Sequence, residues 1–160
     1  TRYYNEIALI FESGLTSYLE NTNYGAHRNV AYEIFKDNPV FGVGIKNFRT
    51  ESANSKYNNL DHKQNHLRVS THPHELYYEF ISETGLVGLL SFVIFIFLSL
   101  YFSIKNYLKY QNIFQLSAIL FIISAILPVL PTGSFLSTYS SSIFWLNYAI
   151  MMGYNRVIKY

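Results

Sequence analysis

Cysteine is absent from the 160-residue chain. That excludes disulfides, thiolate catalysis and Cys-ligated zinc or iron–sulfur sites, and leaves the redox compartment open. Charge is scarce as well. Only 14% of positions are Asp, Glu, Lys or Arg, against about 25% in ordinary soluble domains. The scarcity is uneven. Residues 84–160 contain no acid and four bases, Lys105, Lys109, Arg156 and Lys159, whereas all ten acids and all five His lie in residues 1–83. Such a chain is not a plain soluble globule, a disordered tail or a fibre. A net charge of +2, with acids interleaved among the bases of the first half, also argues against a nucleic-acid partner. No signal peptide is visible, and Thr1-Arg2-Tyr3-Tyr4 has no Met and does not read as a start, so the chain is expected to be the C-terminal piece of a longer one.

What fills the acid-free half is hydrophobic run. Residues 84–104 are 21 positions without a charge, and a bilayer core of about 30 Å needs about 20 helical residues. Residues 110–155 are a further 46 uncharged positions, interrupted by Pro128, Pro131, Gly133 and a Ser/Thr-rich turn. The expected fold class is therefore all-α and integral to a membrane. About three transmembrane helices, at 84–104, 113–130 and 138–154, follow a long, mostly helical loop. Lys105 and Lys109 fall at the same end of the spans as Arg156 and Lys159. The positive-inside rule makes that end, and the C-terminus, cytoplasmic, and puts residues 1–83 on the outer face.

The loop half carries helical periodicity. Tyr4, Ile7, Ala8, Phe11, Leu15, Tyr18 and Leu19 recur at helical spacing, with Gly14 as a weak point. Residues 23–25 punctuate the chain. A second helix is expected over about 26–36, with Val30, Ala31, Ile34 and Phe35 as its apolar face. Asn38-Pro39 stops it, since proline disfavours helix in the residue before it. Pro39-Val-Phe-Gly-Val-Gly44 follows as a compact turn, and residues 50–68 read as an exposed polar loop. A third helix is expected from Pro73 to about Glu83, continuing into the first span through Gly85-Leu-Val-Gly88. Pro73 suits a first helical position. His74 then stands in the first turn, where the macrodipole favours a neutral imidazole. A neutral His is what a general base needs near pH 7.

Each polar feature also has a plain reading. His62 and His66, with His72 and His74, offer zinc-like numbers of ligands. The 61–66 segment lacks the glutamate of a metalloprotease helix, though, and no metal site is assigned. Arg28, flanked by His27 and Asn29 and near Glu33, reads alone as a solvated surface Arg. Glu75, Glu79 and Glu83, four apart, read as a wet stripe, although a carboxylate near His74 is able to orient it.

Taken in order, these segments resemble the O-antigen ligase and polymerase family of bacterial membrane proteins. Arg28-Asn-Val-Ala-Tyr-Glu-Ile-Phe-Lys-Asp-Asn-Pro39-Val-Phe-Gly-Val-Gly44-Ile-Lys-Asn-Phe48 is similar to its Arg, short helix and Pro-x-x-Gly-x-Gly-x-x-x-Phe segment. His74-Glu-Leu-Tyr77-Tyr-Glu-Phe-Ile-Ser-Glu83-Thr-Gly85-Leu-Val-Gly88 is similar to its second signature. Ser134-Phe135 and Phe144-Trp145 resemble its last span. Glu75 departs from the family, which commonly has Asn there, and ten or more spans are usual against the three expected here.

The resemblance implies glycan transfer from a polyprenyl-pyrophosphate donor at the periplasmic face of the bacterial inner membrane, in a multi-pass protein. The acceptor would be a hydroxyl of a lipid-linked sugar such as a lipid A core (ligase), of the growing chain (polymerase) or of a protein (oligosaccharyltransferase). It implies an inverting, metal-independent reaction with no cofactor. His74 would be the catalytic base and Arg28 the pyrophosphate clamp, with Glu75, Tyr77, Glu83, Lys46 and Arg68 as supporting residues. The fragment alone is expected to be inactive. The competing class is a non-catalytic membrane-anchored glycan-binding or assembly protein. Its aromatics, among them Tyr3, Tyr4, Tyr57, Tyr77 and Tyr78, would stack on sugars.

Overall fold

The computed structural model describes residues 2–128 and 132–155. The side chains of residues 2–7, 9, 13 and 138 are not among the features described. Arg156 and Lys159, which enter the orientation argument, and Leu130 and Pro131 at the expected end of the second span lie outside the described residues. Among the described residues there are six α-helices: α1 (Arg2–Asn21), α2 (Asn23–Asp37), α3 (Phe48–Ser52), α4 (Leu76–Tyr110), α5 (Ile113–Ala125) and α6 (Thr138–Gly153). Two single 3-10 turns, Ser55–Tyr57 and Asn65–Leu67, lie between α3 and α4, and no strand occurs among the described residues.

The helices form two layers joined by α4. In the polar layer, Val30, Ala31 and Ile34 of α2 bury against Phe48 and Tyr57, with Val43, Leu60 and Tyr78 packed around them. In the apolar layer, Phe92, Ile96 and Leu100 of α4 meet Ala118, Ile119 and Ile122 of α5 and Phe144 and Met151 of α6. Leu90, Ile94, Phe97 and Leu98 stay exposed on the outer side of α4. That arrangement suits a helix with lipid on one side and protein on the other.

Several boundaries differ from expectation. α4 runs to Tyr110, so the polar link shrinks to Gln111, a left-handed cap, and Asn112, which caps α5 by accepting from Phe114 N and Gln115 N. α5 stops at Ala125 rather than near residue 130, and Pro128 follows at once. At 13 and 16 residues, α5 and α6 fall short of the roughly 20 that a perpendicular crossing needs. Among the described residues only α4, with 35, is long and apolar enough to cross a membrane. The break near residues 23–25 lies instead at Thr22, whose hydroxyl accepts from Gly25 N and starts α2 three residues early. Gly14 breaks α1 outright, at φ 81° and ψ 159°. The 50–68 loop is packed: Tyr57 and Asn65 are buried, and Asn65 Nδ2 donates to the carbonyls of Tyr57 and Asn58.

Candidate active site

The joint between the layers is made of backbone. Gly85 interrupts α4 with φ 66° and ψ −165°, a conformation open to glycine because it lacks Cβ. A helix break leaves carbonyls above it and N–H groups below it without intrahelical partners. The turn after α2 supplies partners for two groups on each side. Val43 N and Gly44 N donate to the carbonyls of Ser82 and Glu83 at 3.0 and 2.8 Å, and Leu86 N and Val87 N donate to those of Pro39 and Val40 at 2.9 and 3.2 Å. The approach is close enough to require two glycines. A Cβ on Gly42 would lie 2.4 Å from Glu83 C, and one on Gly85 would lie 2.4 Å from Val40 C. The two motifs recognised in the sequence are thus the two halves of one fitted contact.

The three glutamates that read as a wet stripe are each about 2% exposed. Each carboxylate instead gathers backbone donors. Glu83 accepts from Lys46 N at 2.7 Å and Phe48 N at 3.2 Å, which fastens the turn a second time. Glu79 accepts from Ser134 Oγ and from Phe135 N at 2.7 Å, and holds the connection between α5 and α6. Glu75 is the N-cap of α4 and accepts from Tyr78 N at 2.9 Å. Helical period located the shared face correctly. It carried no sign that backbone N–H groups would meet that face.

This cap also corrects the placement of His74. α4 begins at Leu76 rather than Pro73, so His74 stands before the cap, at φ 58°, outside the first turn and its macrodipole. A different environment holds it. Its ring lies 3.9 Å from that of His72, 5.2 Å from that of His27 and 5.4 Å from that of Tyr24, measured between centroids. Ser70 Oγ is 3.3 Å from its Nε2.

Arg28 is not a solvated surface residue. It is buried, its guanidinium carbon lies 5.9 Å from the centre of the Tyr78 ring, and Glu33 pairs with Lys36 instead. Arg28 lines a cleft of about 310 Å³ between α1, α2 and α4, together with Asn29, Tyr32, His62 and Tyr78. Its positive charge acts on Glu75, whose carboxyl is nevertheless raised above the usual range because burial outweighs the charge. His74 does not line that cleft. It reaches Arg28's neighbourhood through His27, the preceding residue of α2.

The supporting candidates divide. Glu75 and Glu83 hold backbone, as above. Tyr77 donates its hydroxyl to the carbonyl of Ile126 at 2.7 Å, tying α4 to the end of α5. Arg68 donates to Asn58 Oδ1 and the Asn65 carbonyl, and braces the loop. The Lys46 side chain is exposed, and only its N–H is engaged with Glu83. No group of three or more His, Cys, Asp or Glu able to hold a metal occurs among the described residues. His62 is engaged elsewhere: its Nε2 lies 2.8 Å from the Leu19 carbonyl, and its Nδ1 accepts from Gln64 N.

His27 was not singled out in the sequence. It is 4% exposed and its Nε2 lies 2.9 Å from the Leu67 carbonyl. A carbonyl only accepts, so Nε2 carries the proton and the buried Nδ1 is a bare lone pair. Burial lowers its pKa to about 4, so it is neutral at pH 7. A signal did exist: Tyr24, His27, Arg28 and Ala31 follow i, i+3, i+4, i+7 spacing, and all four are buried.

The helices and the site define a class: an α-helical protein in which a polar helical cap is locked by backbone onto a helix of membrane-crossing length. The family model for O-antigen ligase matches residues 20–93, which contain both fitted segments, and over them the chain is similar to that family. No curated protein and no solved structure matches the chain. At the coarse level the family gives glycan transfer by a membrane-associated protein.

Proposed function

We propose that the protein belongs to an enzyme that transfers a glycan from a polyprenyl-pyrophosphate donor to a hydroxyl acceptor on the outer face of the bacterial inner membrane. The acceptor is that of an O-antigen ligase, a lipid-linked sugar. The observation that carries this reading is the burial of Arg28 on a cleft wall, one residue from the His27 ring that stacks on His74.

Arg28 offers a planar, permanently charged fork for two pyrophosphate oxygens. His74 takes the proton of the acceptor hydroxyl as its oxygen attacks the anomeric carbon. The bond from that carbon to the pyrophosphate oxygen breaks, and the pyrophosphate leaves with the electron pair, its charge held by Arg28. Attack opposite the leaving group inverts the anomeric configuration. Positioning supplies much of the rate. The backbone joint at Gly85 supports it by fixing α2, which bears Arg28, against α4, which His74 precedes.

The test is glycan transfer by the full-length enzyme. His74→Ala and Arg28→Ala are expected to lose transfer while remaining inserted in the membrane. Normal transfer by either variant removes that residue's role. Transfer that survives exhaustive chelation supports charge neutralisation by arginine, and transfer abolished by chelation and restored by a divalent ion overturns it.

A further inference from the structure

Bilayer depth can be measured along α4. At 1.5 Å per residue, Leu86 lies about 29 Å along the helix from Lys105, the first base of the apolar half. That is close to the thickness of a hydrocarbon core, about 30 Å. With Lys105 at the inner boundary, the outer boundary falls at Leu86. The backbone joint fixes what else lies at that level, because the carbonyls of Pro39 and Val40 accept from Leu86 N and Val87 N.

The turn is apolar on its outside. Phe41 is 73% exposed, Ile45 59% and Val40 51%, beside Leu86, Val87 and Leu90, which are also exposed. A loop facing water would not gather these side chains in one place. Lys46 and Arg49 follow immediately and are exposed. The nearby carboxylates are engaged elsewhere: Glu83 on backbone N–H groups, and Glu51 and Asp37 on Lys56. An apolar tip with a basic shoulder fits one partner, a lipid surface containing anionic headgroups.

We propose that residues 39–45 are an interfacial anchor. Val40, Phe41 and Ile45 enter the boundary between headgroups and acyl chains, and Lys46 and Arg49 lie against lipid phosphates. The anchor rests on the reading of α4 as a membrane-crossing helix, and it sets the height of the cleft above the bilayer.

The experiment uses tryptophan fluorescence in vesicles of phosphatidylcholine and phosphatidylglycerol. The chain has one Trp, so Trp145→Phe supplies a silent background. Phe41→Trp and Ile45→Trp report the loop, and Phe97→Trp reports the middle of α4. Brominated lipids quench at chosen depths. The loop probes are expected to shift to the blue and to lose more intensity to bromine near the headgroup than to bromine near the chain ends, with the opposite order at residue 97. Loop probes that emit as in water and escape quenching, while residue 97 is quenched from depth, overturn the anchor and spare the membrane reading. Blue-shifted loop probes that no brominated lipid quenches mean that protein covers the loop, and also overturn it. An unquenched probe at residue 97 removes the membrane reading and the anchor together.

Discussion

His27 and Glu79 show how far individual side chains in this site depart from their usual behaviour. His27 has its pKa lowered from 6.5 to about 4 by burial. For a base lowered on folding, the unfolded chain protonates first as pH falls. Stability contributed by the neutral form is therefore intact above pH 6.5 and lost between 6.5 and 4. The loss is at most about 3 kcal/mol. Thermal unfolding in detergent across that window should fall less steeply for His27→Asn than for the parent, and equal slopes would refute the assignment. Glu79 accepts from Phe135 N and Ser134 Oγ with a charge that glutamine lacks. Glu79→Gln should cost about 1.5–3 kcal/mol and expose the connection between α5 and α6 to protease. Glu75 differs, since its raised pKa marks a buried carboxylate better replaced. Asn is among the strongest N-caps. Glu75→Asn should match or exceed the parent's melting temperature at pH 7, and the gain should shrink as pH falls toward the carboxylate range.

At the scale of elements, the glycines sort themselves by what surrounds them. Ala at Gly42 or Gly85 meets backbone at 2.4 Å and a positive φ, which together cost about 2–5 kcal/mol. Ala at Gly153, within α6 and with nothing within 4 Å, should be neutral or stabilising by up to about 1 kcal/mol. Melting temperatures of the three variants give the comparison, and equal values would contradict the fitted joint. Much of the element pattern was legible in the residues. The stop at Asn38-Pro39, the weak point at Gly14 and the apolar face of α2 followed from local chemistry. The start of α4 was misread because Pro73 and Glu75 both suit a helix N-terminus, and which one serves depends on where the chain arrives from. The glutamate face was misread because its partners are main-chain N–H groups, which carry no side-chain signal. Arg28 and His74 were selected by resemblance, and the His27 ring that meets His74 emerged from geometry alone.

At the scale of the whole molecule, the absence of cysteine from these 160 residues lets single introduced cysteines report their topology. Single cysteines at Asn59, in the polar layer, and at Lys109, near the end of α4, should label oppositely with a membrane-impermeant thiol reagent. Asn59→Cys should react in spheroplasts, and Lys109→Cys only after permeabilisation. Equal labelling of both in intact spheroplasts would abolish the expected orientation, and labelling of Lys109→Cys alone would invert it. The brace at Gly85 has a further consequence, for the order of assembly. Main-chain groups left bare near the bilayer cost several kcal/mol each, so a broken helix is a hazard while it inserts. The chain meets that hazard by precedence: the residues that complete the break are synthesised more than forty positions earlier. On the proposed membrane reading, α4 enters the bilayer with its splint already made, and a protein with these two segments in reverse order would have to insert the fracture before anything could set it.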